Sequence, residues 1–170
     1  VFKTRGVPAE IEVAVDEGLA RLETTSSRPG AAQVPGTVAL AYTVDTSSEV
    51  TRTNILFQRG STDFADRASI DELRTLGAAL NHESLTRFQY VIEGHASADG
   101  SASYNQVLSQ RRAARIADFL IGAGVKKERL LAVGFGETEA RFPEDAREAL
   151  RSTDRRVVIY RLEKGTIESP

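Results

Sequence analysis

His95, Ser97 and Asp99 carry the three side-chain types of a hydrolytic triad, spaced two residues apart. A triad relays a proton through direct hydrogen bonds, whereas alternate residues of an extended segment are stacked about 7 Å apart. No Gly-x-Ser-x-Gly turn presents a serine as a nucleophile either. The hydrolytic reading therefore fails on geometry, and His95 is expected to be a structural residue at a strand end, hydrogen-bonded by the loop that follows. The second histidine, His82, stands beside Glu83, and the two histidines share no metal-ligand spacing. Gly134-Phe135-Gly136 lacks the third glycine of a dinucleotide fingerprint and reads as a tight turn after a buried strand.

A cation in an unusual place is the stronger chemical signal. Tyr104, Leu108, Ile116 and Leu120 recur at four-residue steps, and Arg112 occupies the step where the ladder calls for an aliphatic side chain. Two readings fit. The methylene stem covers apolar surface while the guanidinium reaches water or an acidic neighbour, or the guanidinium is a fixed cation at the mouth of a cleft, placed to grip a carboxylate.

The elements around Arg112 follow from local pattern. Phe88 to Glu93 alternates with Phe88, Tyr90 and Ile92 on one face and reads as a strand. Asp99-Gly100 signals a turn, and Ser103 with Gln106 has the spacing of a capping box opening the helix that carries Arg112. Gly122 and Gly124 are plausible stops. Upstream, Thr53 to Gln58 reads as a strand, and Ser69 with Glu72 as a second capping box. Ile70, Leu73, Leu76 and Leu80 then give a helix stripe ending near Asn81. Downstream, Leu130 to Phe135 reads as a buried strand, Glu137 to Pro143 as a loop, Glu144 to Arg151 as a short charged helix, and Arg155 to Leu162 as a closing strand. The order strand–helix–strand–helix–strand–strand argues an α+β fold, two main helices on one face of a mixed four-stranded sheet.

Gly94-His95, Tyr104-Asn105, Leu108-Ser109, Arg111-Arg112-Ala113, Gly134-Phe135-Gly136-Glu137 and Arg155-Arg156-Val157 together resemble the OmpA-like C-terminal domain. That family includes the peptidoglycan-associated lipoprotein and the periplasmic domain of MotB. The resemblance runs from Thr53 to Glu163, with residues 1–52 as an N-terminal extension and 164–170 as a polar tail. It implies a non-catalytic module without a cofactor that binds the diaminopimelate of peptidoglycan stem peptides. It also implies a periplasmic, outer-membrane-associated location, with other envelope proteins as further partners. In the family pattern an arginine takes the ligand's carboxylate and an aspartate its ammonium. The arginine falls on Arg112; the aspartate falls on Ser97, a hydroxyl without charge. The resemblance further implies Asn105 as a side-chain contact, Asp99 in the framing loop and Arg155 as a second cation. Asn105 and Asp99 read equally well as helix-start and turn residues, and one of Arg155 and Arg156 as a solvated strand position. Two functions follow: a wall-binding module altered at Ser97, or an assembly module that kept the fold and no longer grips the wall.

Composition sets the outer limits. The 170 residues are 41% hydrophobic and 27% charged, as in a folded globular chain. A net charge of -2 gives no pull towards nucleic acid or anionic membrane, and no apolar run is long enough to insert into a membrane. Without cysteine there is neither a disulfide framework nor a thiolate metal site. The chain opens with Val and contains no Met, as expected of a fragment or mature form whose targeting segment is missing. In the extension, Pro8 and the stripe Ile11, Val15, Leu19 and Leu22 favour a helix over Val7 to Leu22, with Gly18 as its weak point. Ile11, Val13 and Val15 also alternate as a strand would. Thr24 to Gly36 reads as a linker, Thr37 to Val44 as a strand, and Asp45 to Ser48 as a turn.

Overall fold

The computed structural model describes residues 2–5, 11–16, 19–24, 42–52 and 54–162. The strand bearing the Tyr90 and Ile92 alternation is β5 (Tyr90–His95). It lies between β6 (Leu130–Gly136), parallel to it, and β7 (Val157–Leu162), antiparallel to it. β4 (Tyr42–Arg52) pairs antiparallel with the far side of β7. The order β4-β7-β5-β6 is the expected mixed four-stranded sheet. Three further strands extend it to seven: β1 (Phe2–Arg5) outside β4, and β3 (Leu19–Thr24) then β2 (Ile11–Asp16) outside β6.

Both main helices cover one face. α1 (Arg67–Leu80) contributes Leu73, Leu76 and Leu80, and α2 (Ala102–Gly122) contributes Ala113, Ile116, Ala117 and Leu120. These pack on Tyr90, Ile92, Ala132, Val157 and Ile159. The alternate residues Val91, Leu131, Val133, Phe135, Val158 and Tyr160 form a second buried cluster with Tyr42 and Val44. Period-two alternation thus supplies both faces of the sheet with apolar side chains.

α2 lies unusually close to the sheet. A Cβ built on Gly134 would stand 2.3 Å from the backbone nitrogen of Gln110, and one on Gly94 2.5 Å from the carbonyl oxygen of Ser109. At this range the polar side chains of α2 reach strand backbone. Gln110 Nε2 donates to Ala132 O at 3.1 Å and its Oε1 accepts from Gly134 N at 2.6 Å. Gln106 Nε2 donates to Gly134 O at 2.6 Å, and Ser109 Oγ accepts from Gly136 N at 2.8 Å. Along this side β6 pairs with β3 only at Arg21 and Ala132, so the two glutamines satisfy backbone groups that would otherwise be buried unpaired. Gly134 is therefore a close-approach residue inside β6, and the turn expected there comes later, where Thr138 N donates to Phe135 O.

Several local expectations are corrected. The described residues of the expected helix, 11–16 and 19–22, are strand instead: β2 and β3 pair antiparallel from Ile11↔Thr24 to Asp16↔Leu19. The alternating β-branched Ile11, Val13 and Val15 win over the helical stripe, which Gly18 would have weakened by about 1 kcal/mol. The linker expected over residues 24–36 lies, beyond Thr24, outside the described residues, as do positions 37–41 of the next expected strand. Asp45 to Ser48 does not end a strand but makes a bulge within β4, where the register to β7 shifts between Asp45 and Val50. Asp45 Oδ1 accepts from Ser47 N and Ser47 Oγ, and Ser48 Oγ donates to Asp45 O. These local bonds give the stretch its turn-like composition.

Thr53 to Gln58 is no strand either. β4 takes the place beside β7, and the following segment makes only an isolated bridge, Phe57 to Phe64. Its backbone is satisfied by Ser69 Oγ, which accepts from Leu56 N and donates to Asn54 O. Ser69 is thus not the cap of α1; Asp66 is, accepting from Ser69 N at 2.8 Å. Likewise Ser101, not Ser103, caps α2 by accepting from Tyr104 N, since Gln106 is engaged with β6. α2 ends at Gly122, and Gly124 adopts φ +96° as Val125 N donates back to Leu120 O. The charged helix is a single turn, α3 (Glu148–Arg151).

Two outcomes test this packing. Gly134→Ala forces helix backbone away from strand backbone, which no side-chain rotation relieves, and is expected to cost about 3 kcal/mol in a denaturant titration. A chain beginning at residue 53 loses β4 and with it the buried Tyr42 and Val44, each worth roughly 1.5–3 kcal/mol. It is expected to melt broadly, whereas one beginning at residue 42 melts in a single cooperative step.

Candidate ligand-binding cleft

The turn between β5 and α2, the segment after β4 and the start of β7 surround a cleft of about 780 Å³. Arg112, Arg155, Asn105, Asp99 and Ser97 all line it.

Arg112 projects from the second half of α2 across to the segment after β4. Its Nε donates to Ser61 O at 3.0 Å and its Nη2 to Gln58 O at 3.1 Å. Its Cζ lies 4.9 Å from the centre of the Phe57 ring. Nη1 has no hydrogen-bond partner among the described residues, and no carboxylate there forms an ion pair with the guanidinium. Burial lowers its pKa from the ordinary arginine value; the neighbouring Arg155 cation acts in the same direction, while Tyr104 opposes it. Both readings of the sequence are partly realised. The side chain leans over apolar surface, and its charged end stays at the cleft.

Across the cleft, Ser97 is only 3% exposed. Its Oγ donates to Asp99 Oδ2 at 2.6 Å and accepts from Arg155 Nη1 at 3.2 Å. Arg155 Nη1 also lies 3.5 Å from Asp99 Oδ2. The turn therefore brings the Asp99 carboxylate back beside the residue-97 hydroxyl. Asn105 Nδ2 turns its two N–H groups towards three acceptors, Glu137 Oε2 at 2.6 Å, Asp99 O at 2.8 Å and Ser97 O at 3.2 Å, so that one N–H is shared. Its amide nitrogen is spent on shaping the turn.

Sequence reasoning missed Glu148 and Arg151, which face the same cleft from α3. Arg151 pairs with Asp99, and Glu148 with Arg155; Arg151 Nη2 lies 3.1 Å from Glu148 Oε2. The available signal was a Glu–Arg pair three apart in a charged stretch; Arg155, the partner of Glu148, is local, but Asp99, the partner of Arg151, is remote in sequence.

His95 is buried but not hydrogen-bonded as expected. Neither ring nitrogen has a hydrogen-bond partner among the described residues. The ring stacks on Phe135 with centroids 5.2 Å apart, between the carboxylates of Glu93 at 3.5 Å and Glu139 at 3.8 Å. It sits beneath the cleft as packing, bonded to sheet backbone through its own N–H to Arg156 O. His82 makes only a local contact, Nδ1 to Ser84 Oγ at 2.8 Å. Arg156 aims away from Asp99, its Nη atoms 3.8 Å from Glu139 and Asp154 oxygens.

The α3 loop is tied down by the buried Asp154, which accepts from Arg141 N, Phe142 N and Arg141 Nε, each at 3.0 Å. Arg141 Nη2 completes the clasp on Thr153 O and Oγ1.

With this geometry in hand, the chain belongs to the OmpA family, which matches residues 56–154. Among curated proteins it is similar to outer membrane porin F of Pseudomonas fluorescens, 44% identical over 66 residues, covering 39% of this chain and 20% of that protein. It is also similar to the peptidoglycan-associated lipoprotein of Mesorhizobium japonicum, 41% identical over 51 residues, covering 30% of each. The chain thus spans a fifth to under a third of the length of these relatives. Among solved structures, the cell wall anchor of the type VI secretion system of Pseudomonas aeruginosa superposes with a TM-score of 0.56 at 26% identity, covering 68% of this chain and 81% of that one.

The Asp154 clasp has a pH signature. Burial pushes the carboxyl up, but the bonds from Arg141 and Phe142 outweigh it and hold the pKa below the usual carboxylate value. A depressed native pKa gives stability that is complete above the unfolded-state value, near 3.9, and is lost as pH falls through the native value. Asp154→Asn is expected to lose about 2 kcal/mol at pH 7 and to show a flatter decline in melting temperature below about pH 4 than the parent chain.

Proposed function

We propose that this chain is a non-catalytic module of the cell envelope that holds a peptidoglycan stem peptide of the diaminopimelate type in the cleft. One observation carries the reading: Arg112 is a half-buried cation with no carboxylate partner among the described residues. A guanidinium removed from water without a counter-charge is costly. Arg155 adds a second positive charge to the same cleft. A ligand carboxylate offsets that cost and suits the planar fork of each arginine. Belonging to the OmpA family supports the assignment, as does similarity to a peptidoglycan-associated lipoprotein and to a cell wall anchor. A periplasmic, outer-membrane-associated setting, with other envelope proteins as further partners, belongs to the same proposal.

A second reading is an assembly module that no longer grips the wall. The observation favouring it is Ser97, whose hydroxyl brings no charge where the family pattern carries an aspartate, while Asp99 is already paired with arginines.

Co-sedimentation with purified sacculi separates the two. The parent chain is expected to pellet and Arg112→Ala to bind roughly ten- to a hundredfold more weakly, the loss of one charge-assisted contact. A thermal melt of Arg112→Ala, expected to stay cooperative despite the lost bonds to Gln58 O and Ser61 O, serves as the control for folding. A parent chain that stays in the supernatant replaces the first reading with the second, and an Arg112→Ala variant that pellets as well as the parent removes Arg112 as the carrier of the wall contact.

A further inference from the structure

We propose that Glu148 and Arg151 of α3 form an internal competitor that occupies the cleft's two charge positions, and that Asp99 is the acceptor for the ammonium of an incoming zwitterionic ligand. The inference rests on the stem-peptide reading above and specifies how that peptide gains entry.

The four charges at the mouth form a closed alternating ring. Arg151 pairs with Asp99, Asp99 with Arg155, Arg155 with Glu148, and Glu148 with Arg151. Two members belong to the cleft wall. Asp99 is fixed by the Ser97 hydroxyl, and Arg155 is fixed by that same hydroxyl at the start of β7. The other two come from α3 and lie three residues apart, presenting one carboxylate and one cation side by side. This is the charge pattern of the amino-acid centre of a diaminopimelate side chain. Glu148 sits on Arg155 as the ligand's carboxylate would, and Arg151 sits on Asp99 as its ammonium would.

The α3 pair is also built to leave. α3 is a single turn of four residues with no side-chain cap at its start and no buried residue, so its own stability is slight. Arg151 Nε is buried without a hydrogen-bond partner among the described residues, unlike Arg141 in the Asp154 clasp, whose Nε and Nη2 both donate. The clasp anchors the loop, so releasing Arg151 and Glu148 does not release the loop. Side chains of Asp99 and Arg155 are 38% and 37% exposed, so exchange of partners needs no opening of the core. Ser97, donating to Asp99 and accepting from Arg155, holds the wall pair in register while the partners change.

The test is calorimetric titration with a tripeptide ending in meso-diaminopimelate, and with the same peptide amidated at the side-chain carboxylate. Arg151→Gln is expected to bind both peptides about five- to thirtyfold more tightly than the parent, because a freed Asp99 takes the ammonium. Glu148→Gln is expected to tighten binding of the free acid by a similar factor and to leave the amidated peptide unchanged. Adding Asp99→Asn to Arg151→Gln is expected to cancel the gain. Melts of each variant show that the fold persists, and the two single substitutions report on the competitor independently. If neither tightens binding while Arg112→Ala abolishes it, α3 is no competitor and the proposal falls with the stem-peptide reading intact. If no form binds, Arg151→Gln included, both fall together.

Discussion

The near-contact of α2 with β5 and β6 is the constraint from which the rest follows. Helices usually ride on a sheet at the distance their side chains set, whereas here Gly94 and Gly134 remove the spacer and strand backbone meets helix backbone. Close approach turns Gln106, Ser109 and Gln110 inward, where their side chains complete the hydrogen bonding of β6. A helix pinned in this way cannot roll or slide. Its first turn therefore meets the β5–α2 turn at a fixed place, and Arg112 is presented to the cleft from a rigid element rather than a loop.

Rigidity on one wall contrasts with the other. The wall made by α2 and β5 is held by buried amides and apolar contacts that salt and pH scarcely touch. The opposing wall, α3 and its loop, hangs from a buried carboxylate clasp and meets the cleft through part-exposed ion pairs. Ion pairs that water reaches are individually worth less than buried ones. A site built from one fixed and one yielding wall can hold its charges in register and still admit a ligand.

Much of this was legible in the sequence, for identifiable reasons. The β5 alternation and the α2 ladder are local and strongly periodic, so both elements and the anomaly at Arg112 stood out. Cap positions were off by two or three residues because Ser101 and Ser103 have the same chemistry, and only the pull of Gln106 towards β6 decides between them. Ile55 and Phe57 alternate like a strand, yet β4 already occupies the place beside β7. Asp45 to Ser48 has turn composition because its side chains serve a bulge. The Glu148–Arg151 contribution shows in the sequence only as a local Glu–Arg pair. Its place at the cleft depends on Arg151 meeting Asp99, some fifty positions away, and no periodicity encodes that.

The hydroxyl of Ser97 gains its meaning from burial. A carboxylate at a site 3% exposed would be a costly buried charge, secure only when permanently paired. With a hydroxyl there and the carboxylate at Asp99, the charge moves to a position 38% exposed while remaining tied to the buried site by a 2.6 Å hydrogen bond. Water, Arg151 and Arg155 can then share it, so the unliganded cleft is not left with an unsatisfied anion. The same displacement weakens any single contact the carboxylate makes, because solvent screens it. Selectivity at such a site must come from two charges engaged at once. In the proposed exchange, a ligand bearing only an ammonium or only a carboxylate would displace half of the α3 pair and leave the other half competing, whereas a zwitterion would displace both.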